Sequence, residues 1–315
     1  MHIEYMQGGG SLETKRKQHR AYPIFCGLLV LMACCFRTAA VLKEESPSPL
    51  SVGIETYIYA TEGELESWAE TLRETVIPEL SPVEIDNRCG ADFSMEELLQ
   101  KKISLQRTEG PCVLILHTHG TEAYGDQPEY RSTDPEKNVI RIGTKIAECL
   151  NKAGIPTIHD TTAHDATGGY DRAYEEAEKA IAAYLDKYPG IQVVIDIHRD
   201  AASDGQGGQK AVSAKINGED GAALLMVMGT DTAELPHENW QENLAFAIQL
   251  QSYLSREAPG LMRPISLRGA RYNEHFTRCS ILLEVGAAGN TMEEALCSAE
   301  FFGDRLAELL QYYQG

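Results

Sequence analysis

The segment IQVVIDI at Ile191–Ile197 constrains this chain most, because five of its seven residues are β-branched and only one is charged. Such a run suits a strand covered on both faces, which requires helices above and below the sheet. Related apolar runs stand at Cys112–Leu116 and Ser280–Val285, with a shorter strand expected at Ile155–His159. Amphipathic segments lie between them. Val139, Ile142, Ile146, Cys149 and Leu150 recur at helical spacing until Gly154, and Ala173, Ala177, Ile181 and Tyr184 mark one face of a helix over Asp171–Lys187 that Pro189-Gly190 ends. Lys210–Asn217 and Ala223–Met228 read as two strands joined around Asn217-Gly218. A helix is expected over Glu238–Glu257, and a last one opens on the capping box Thr291-x-x-Glu294. Strands alternating with helices give an α/β class, with a largely parallel twisted sheet flanked by helices.

That pattern occupies residues 110–315, and the chain before it has a different character. Residues 1–20 form a basic tail with the cluster Lys15–Arg20, and Ala21–Phe36 carries no charge. Residues 21–42 therefore read as a transmembrane signal anchor that leaves the N-terminus in the cytoplasm and the rest of the chain outside it. A cleaved secretory peptide is the alternative, since Ala39 and Ala40 are small enough for a processing site. Residues 43–109 read as an acidic linker or accessory region, with helical stretches near Glu62–Val76 and Ser94–Gln106. The formal charge of -19, from 28 basic and 47 acidic residues, excludes a general nucleic-acid surface. Cys26, Cys34 and Cys35 lie in the uncharged segment, and the remaining five cysteines contain no CxxC pair, so neither a disulfide framework nor a cysteine zinc site is indicated. GxSxG, GxGxxG and the P-loop are absent from the sequence.

Ligands of open α/β sheets gather beyond the carboxyl ends of the strands. Three such ends here carry histidines and carboxylates: His117-Thr118-His119-Gly120-Thr121-Glu122, then Asp196-Ile197-His198-Arg199-Asp200, and Glu284 before Val285-Gly286. A catalytic zinc takes three protein ligands from His, Asp or Glu and leaves a position for water, whose pKa falls to about 7. A carboxylate outside the ligand set then works as general base and passes the proton to the leaving amine. His119 and Glu122, three residues apart on a turn, can converge with His198 on one ion, and Glu284 is the candidate base. His117 faces the same side as His119 if the strand continues through both; either could be the ligand, with the other supporting it or aiding the transition state. His159 and His164 read as part of a loop after the strand, with a second histidine cluster as the alternative, and Asp160 and Asp165 shape a groove.

The blocks HTHGTEAY (117–124), YRSTDPEKNVIRIG (130–143), HDTTAHD (159–165), VVIDIHRDA (193–201), RYNEHF (271–276) and LLEVGAAGNTMEEA (282–295) resemble, in this order, the stage II sporulation protein P family. The resemblance implies a zinc amidase-like fold and a membrane-tethered, zinc-dependent cell-wall hydrolase of endospore-forming bacteria. Such enzymes are related to the N-acetylmuramoyl-L-alanine amidases and also cut the stem peptide as endopeptidases. It implies His119 and His198 as zinc ligands and Glu284 as the catalytic carboxylate, with His117 beside it. Glu122 belongs to the family's HxHxxE block, whereas the wider amidase class places its zinc glutamate at the start of the following helix, where Glu136 stands; Glu122 is the choice here. Arg199 and Asn273 are the expected substrate contacts, although RYNEHF departs from the family pattern at Glu274-His275. The implied partners are peptidoglycan, the membrane, and stage II sporulation proteins D and M, in engulfment of the forespore. Two other readings use the same residues: a zinc carboxypeptidase-like enzyme, and a tethered wall-binding module without turnover.

Overall fold

A computed structural model describes residues 83–315, apart from Asp204, Gln206 and Gly207. The strands in chain order are β1 (Ile85–Asn87), β2 (Val113–Leu116), β3 (Thr157–His159), β4 (Val193–Asp200), β5 (Ser213–Ile216), β6 (Glu219–Ala222), β7 (Leu224–Gly229), β8 (Ile265–Arg268) and β9 (Cys279–Ala287). The helices are α1 (Met95–Gln100), α2 (Val139–Lys152), α3 (His164–Gly168), α4 (Ala173–Lys187), α5 (Trp240–Glu257) and α6 (Met292–Gln314). Seven strands form one sheet in the order β1-β8-β7-β9-β4-β2-β3, and β5 pairs with β6 apart from it. Every neighbouring pair in the large sheet is parallel except β7 with β9, so the expected largely parallel sheet is present with one antiparallel seam.

Alternation along the strands decides the layers, since successive side chains leave a strand on opposite faces. Val113 and Ile115 of β2 join Val193, Ile195 and Ile197 of β4 in the large core, together with residues of α2, α5 and α6. Leu114, Leu116 and Val194 take the other face and pack against Ala177 and Ile181 of α4. Both faces of the central strands are therefore dry, which is why their sequences are apolar, Asp196 apart, until the strand ends.

The body extends upstream of Gly110. Ile85–Asn87 is the edge strand beside β8, and Leu98 of α1 enters the large core. The hairpin around Asn217-Gly218 is real but its second arm is Glu219–Ala222, not Ala223–Met228. Asn217 and Gly218 both adopt positive φ, the geometry of a two-residue hairpin turn, and the chain then passes directly into β7 in the large sheet. The anchor expected at residues 21–42 and the helix near Glu62–Val76 lie outside the described residues. Among the described residues no helix is long and apolar enough to cross a membrane.

The passage from β9 to α6 depends on Asn290, which is fully buried. Its Oδ1 accepts from the backbone N–H of Val212 and of Ala287, both at 2.9 Å, and its Nδ2 donates to Glu294 at 2.9 Å. Asn290→Ala would strand two buried donors, so the variant should lose about 2–4 kcal/mol of unfolding free energy in urea titration. A loss below about 0.5 kcal/mol would show that the junction does not need this side chain.

Candidate active site

Period-two alternation puts Val194, Asp196 and His198 on the face of β4 that α4 covers. The parallel register then sets His198 beside Glu284 and Asp196 beside Leu282, at the carboxyl ends of β4 and β9. From β2 the chain crosses to β3 on one side, while from β4 it departs toward β7 on the other. A crevice forms where neighbouring strands send their connections in opposite directions. His119 and His198 come from the two strands that flank this division.

The loop carrying His119 is braced on both sides by buried carboxylates. Asp196 accepts from Thr118 N at 2.8 Å and from Thr118 Oγ1 at 2.6 Å. Asp165 accepts from Thr121 N at 3.1 Å and Thr121 Oγ1 at 2.5 Å, and from Arg131 Nη1 at 2.6 Å. Between these braces the His119 ring stands 5.4 Å from that of His198, centroid to centroid. Tyr170 stacks on His119 at 4.0 Å with the rings 2° from parallel, and Tyr174 meets it edge-on at 5.5 Å. His119 is only 4% exposed under this cover. Tyr124, also fully buried, donates from its hydroxyl to Val285 O at 2.9 Å and ties the chain after Glu122 to the strand that carries Glu284.

His198 lies between two carboxylates: its Nδ1 is 3.4 Å from Glu122 Oε2, and its Nε2 is 3.0 Å from Asp196 Oδ1 but off the line of a hydrogen bond. Burial alone would depress the imidazole, but Asp196 and Glu122 outweigh it and hold His198 well above the usual histidine range. Burial would likewise raise the Glu122 carboxyl, and the bond to His198 with the charges of His198 and Arg199 brings it below its ordinary value. Glu284 has no comparable partner. Its burial raises the carboxyl to about 8, against the opposing pull of His198. His119 is pushed down, first by burial and then by His198.

Zinc is the group the sequence resemblance implies, and the residues present fit it. His119 Nδ1, His198 Nε2 and Glu284 Oε2 are buried polar atoms without a hydrogen-bond partner, an arrangement that calls for an explanation. Two imidazoles and the Glu122 carboxylate are a donor set suited to that ion. Among the described residues no three His, Cys, Asp or Glu side chains already stand around a common ion position. Instead, Glu122 and Asp196 take the positive charge they require from His198.

The other expected site residues have different places. Glu136 is paired at 3.4 Å with Arg141 and its side chain is 74% exposed, so it is apart from the cluster that contains Glu122. His117 does not face the same way as His119, because β2 ends at Leu116 and the chain turns. Its Nδ1 donates to Ile197 O at 3.1 Å, and its Nε2 is 2.7 Å from His159 Nε2. A Cβ on Gly143 of α2 would come within 2.5 Å of His117, so the imidazole fills the space that glycine leaves. Burial and His159 push His117 down to about 3, and burial pushes His159 to about 4, which keeps both rings neutral. The reading of His159 as a plain loop residue is thus replaced by a half-buried side chain at the end of β3 paired with buried His117. His164 begins α3 with its Nε2 3.3 Å from Asp160 Oδ2. Arg199 is 5% exposed and donates to the backbone carbonyls of Ala123 and Tyr130, both at 2.9 Å, so it is not turned toward an open groove. Asn273, in the left-handed region at φ 57, donates to Tyr174 O at 2.8 Å and holds that aromatic wall. Both were expected to contact substrate, and both have their donors engaged within the protein.

Thr118, Thr121, Tyr170, Tyr174 and Asp196 were given no role from the sequence, and Asp165 was read only as shaping a groove. Asp196 had a visible signal, a charge within an otherwise apolar strand on the face of His198.

The profile of the family described as Stage II sporulation protein P (SpoIIP) matches residues 58–307. Stage II sporulation protein P of Bacillus subtilis (strain 168) is 27% identical over 212 residues, which cover 62% of this chain and 50% of that protein. The chain thus spans about half the length of the curated relative it matches. Similar solved structures include N-acetylmuramoyl-L-alanine amidase AmiC2 of Nostoc punctiforme, at TM-score 0.37 and 15% identity over 65% of this chain and 94% of that one. The catalytic domain of CwlV, an N-acetylmuramoyl-L-alanine amidase from Bacillus (Paenibacillus) polymyxa var. colistinus, gives TM-score 0.38 and 16% identity over 64% of this chain and 95% of that one. With the family profile running over most of its length, the chain belongs to the stage II sporulation protein P family.

Proposed function

We propose that this chain is a zinc-dependent peptidoglycan hydrolase that cuts the amide between N-acetylmuramic acid and L-alanine, with stem-peptide bonds as a second target. Family membership supports a role in engulfment during endospore formation, with the chain tethered to the cell membrane and working beside stage II sporulation proteins D and M. The observation that carries the reading is the pair of buried, unpartnered atoms on His119 and Glu284 beside His198 and Glu122, brought together from three strand ends.

In this reading His119, Glu122 and His198 hold the zinc, which when bound supplies Lewis acidity and a water acidified into the neutral range. Asp196 keeps the His119 loop in place through Thr118 and orients His198 from its far side. Tyr170 and Tyr174 exclude water from the His119 ring. Glu284 does the proton work. Its carboxyl, raised to about 8 by burial against the pull of His198, can take a proton and return it to the leaving amine.

Incubating the full chain with peptidoglycan and zinc should release stem peptides with a free L-alanine amino group, identified by mass, and EDTA should stop the release. Glu284→Gln should lower kcat by about 100-fold or more while zinc content is unchanged; wild-type turnover in that variant would refute its role. Products that are only terminal amino acids would point instead to a carboxypeptidase.

Glu122→Gln should sharply weaken zinc binding in chelator competition, and Glu136→Gln should leave it unchanged. The opposite pattern would move the carboxylate ligand to Glu136.

A third expectation concerns the metal-free protein. Glu284 titrates near 8 when folded and near the ordinary 4.5 when unfolded, so between these values the folded state binds the extra proton. Stability from this residue is full below about 4.5 and falls as pH rises toward 8. The stability advantage of Glu284→Gln over wild type should therefore grow from pH 5 to pH 8 in urea titrations. A pH-independent difference would show that the carboxyl is not held protonated.

A further inference from the structure

Arg199 follows a candidate zinc ligand directly in sequence, yet it is buried and its bonds all run to one segment. Its backbone N–H donates to Glu122 Oε2 at 3.1 Å, and its Nη1 lies 3.8 Å from Glu122 Oε1. Its Nε donates to Ala123 O and its Nη2 to Tyr130 O. Those two carbonyls stand on opposite arms of the loop between Glu122 and Arg131, which an antiparallel bridge closes and where Ala123 N donates to Tyr130 O at 3.0 Å. The same loop reaches the other histidine ligand. Arg131 donates to Thr121 Oγ1 at 2.7 Å, and its guanidinium carbon lies 5.1 Å from the centre of the Tyr170 ring that covers His119.

We infer that Arg199 is a positioning residue: it locks the 122–131 loop shut and fixes the Glu122 carboxylate against His198, and it makes no contact with substrate. A planar guanidinium can serve two carbonyls and face a carboxylate at once, in fixed directions; an ammonium on a flexible stem carries the charge without that geometry. The loop is also held at buried Tyr124, whose hydroxyl donates to Val285 O, while Tyr130 at its far end is 61% exposed; Arg199 is the side chain that ties both arms to β4. With Arg199 in place, the position of Glu122 is set by β4, the strand that carries His198, rather than by the loop. What Glu122 does there rests on the proposed zinc reading, whereas the clamp does not.

The test uses the full chain and has a metal-free arm and a zinc arm. In the metal-free protein, hydrogen exchange at Ala123 and Ser132, whose amides bond across the two arms, should be slow in wild type, and Arg199→Lys should speed it by about tenfold, the weight of one buried hydrogen bond. Fast exchange at these amides in wild type, or no change in the variant, overturns the clamp, and the wild-type measurement stands even if the variant does not fold. In the zinc arm, chelator competition should show Arg199→Lys weakening zinc by about 10–100-fold, and this loss should vanish when Glu122→Gln is already present. Additive losses in the double variant overturn action through Glu122. A wild-type chain that takes up no zinc would defeat the proposed function while the exchange arm still decides the clamp. A raised KM in Arg199→Lys with unchanged exchange and zinc affinity would make Arg199 a substrate contact and reject the inference.

Discussion

A buried carboxylate, Asp196, is the joint on which the site depends. It is tied to the Thr118 amide and hydroxyl and stands beside His198, so one side chain fixes the end of β2 against the end of β4. A charge in this position would be costly if left alone, because removal from water disfavours the ionised form. Two neutral donors and an adjoining imidazole compensate it, and the carboxyl stays below the usual range although burial acts to raise it. Asp196 is thereby confined to the one arrangement in which His119 and His198 face a common space.

The second Thr–Asp brace, at Thr121 and Asp165, repeats the device on the other side of His119 and draws in Arg131. Around these braces the electrostatics divide by partner. His198 and Glu122 have opposite charges within reach and are shifted toward their ionised forms; Glu284 lacks a close one and is shifted toward its neutral form. Titratable groups whose surroundings push them apart are the usual basis for separating a binding role from a proton-transfer role.

The sequence made the central strands legible because burial on both faces leaves an apolar run, as in Val113–Leu116 and, Asp196 apart, Val193–Ile197. The short β1 and β8 were not recognised, since Ile85–Asn87 and Ile265–Arg268 are too brief and too mixed to carry a period. Glu219-Asp220-Gly221 looked like loop, and its role as a hairpin arm is set by pairing with Ser213–Ile216 rather than by its own propensity. At the site, His119, Glu122, His198 and Glu284 could be named because strand ends are where such residues gather. His117 misled for a definite reason: the rule that residues two apart share a face applies only while the strand lasts, and here it stops one residue earlier. Arg199 and Asn273 were expected at the substrate because polar residues beside a site usually face it. That their donors turn inward to backbone carbonyls is a property of loop closure, which no local pattern records.

The antiparallel seam between β7 and β9 gives the crevice unequal sides. Glu284 pairs with Leu225, near the start of β7, so its outer neighbour is regular strand backbone where a parallel neighbour would have ended in a loop. On the opposite side the ends of β2 and β4 release connecting segments that can lengthen or change composition without disturbing the sheet. The bank behind the acidic side chain of β9 is therefore set by the hydrogen bonds of the sheet itself, while the opposite bank is built from connecting segments.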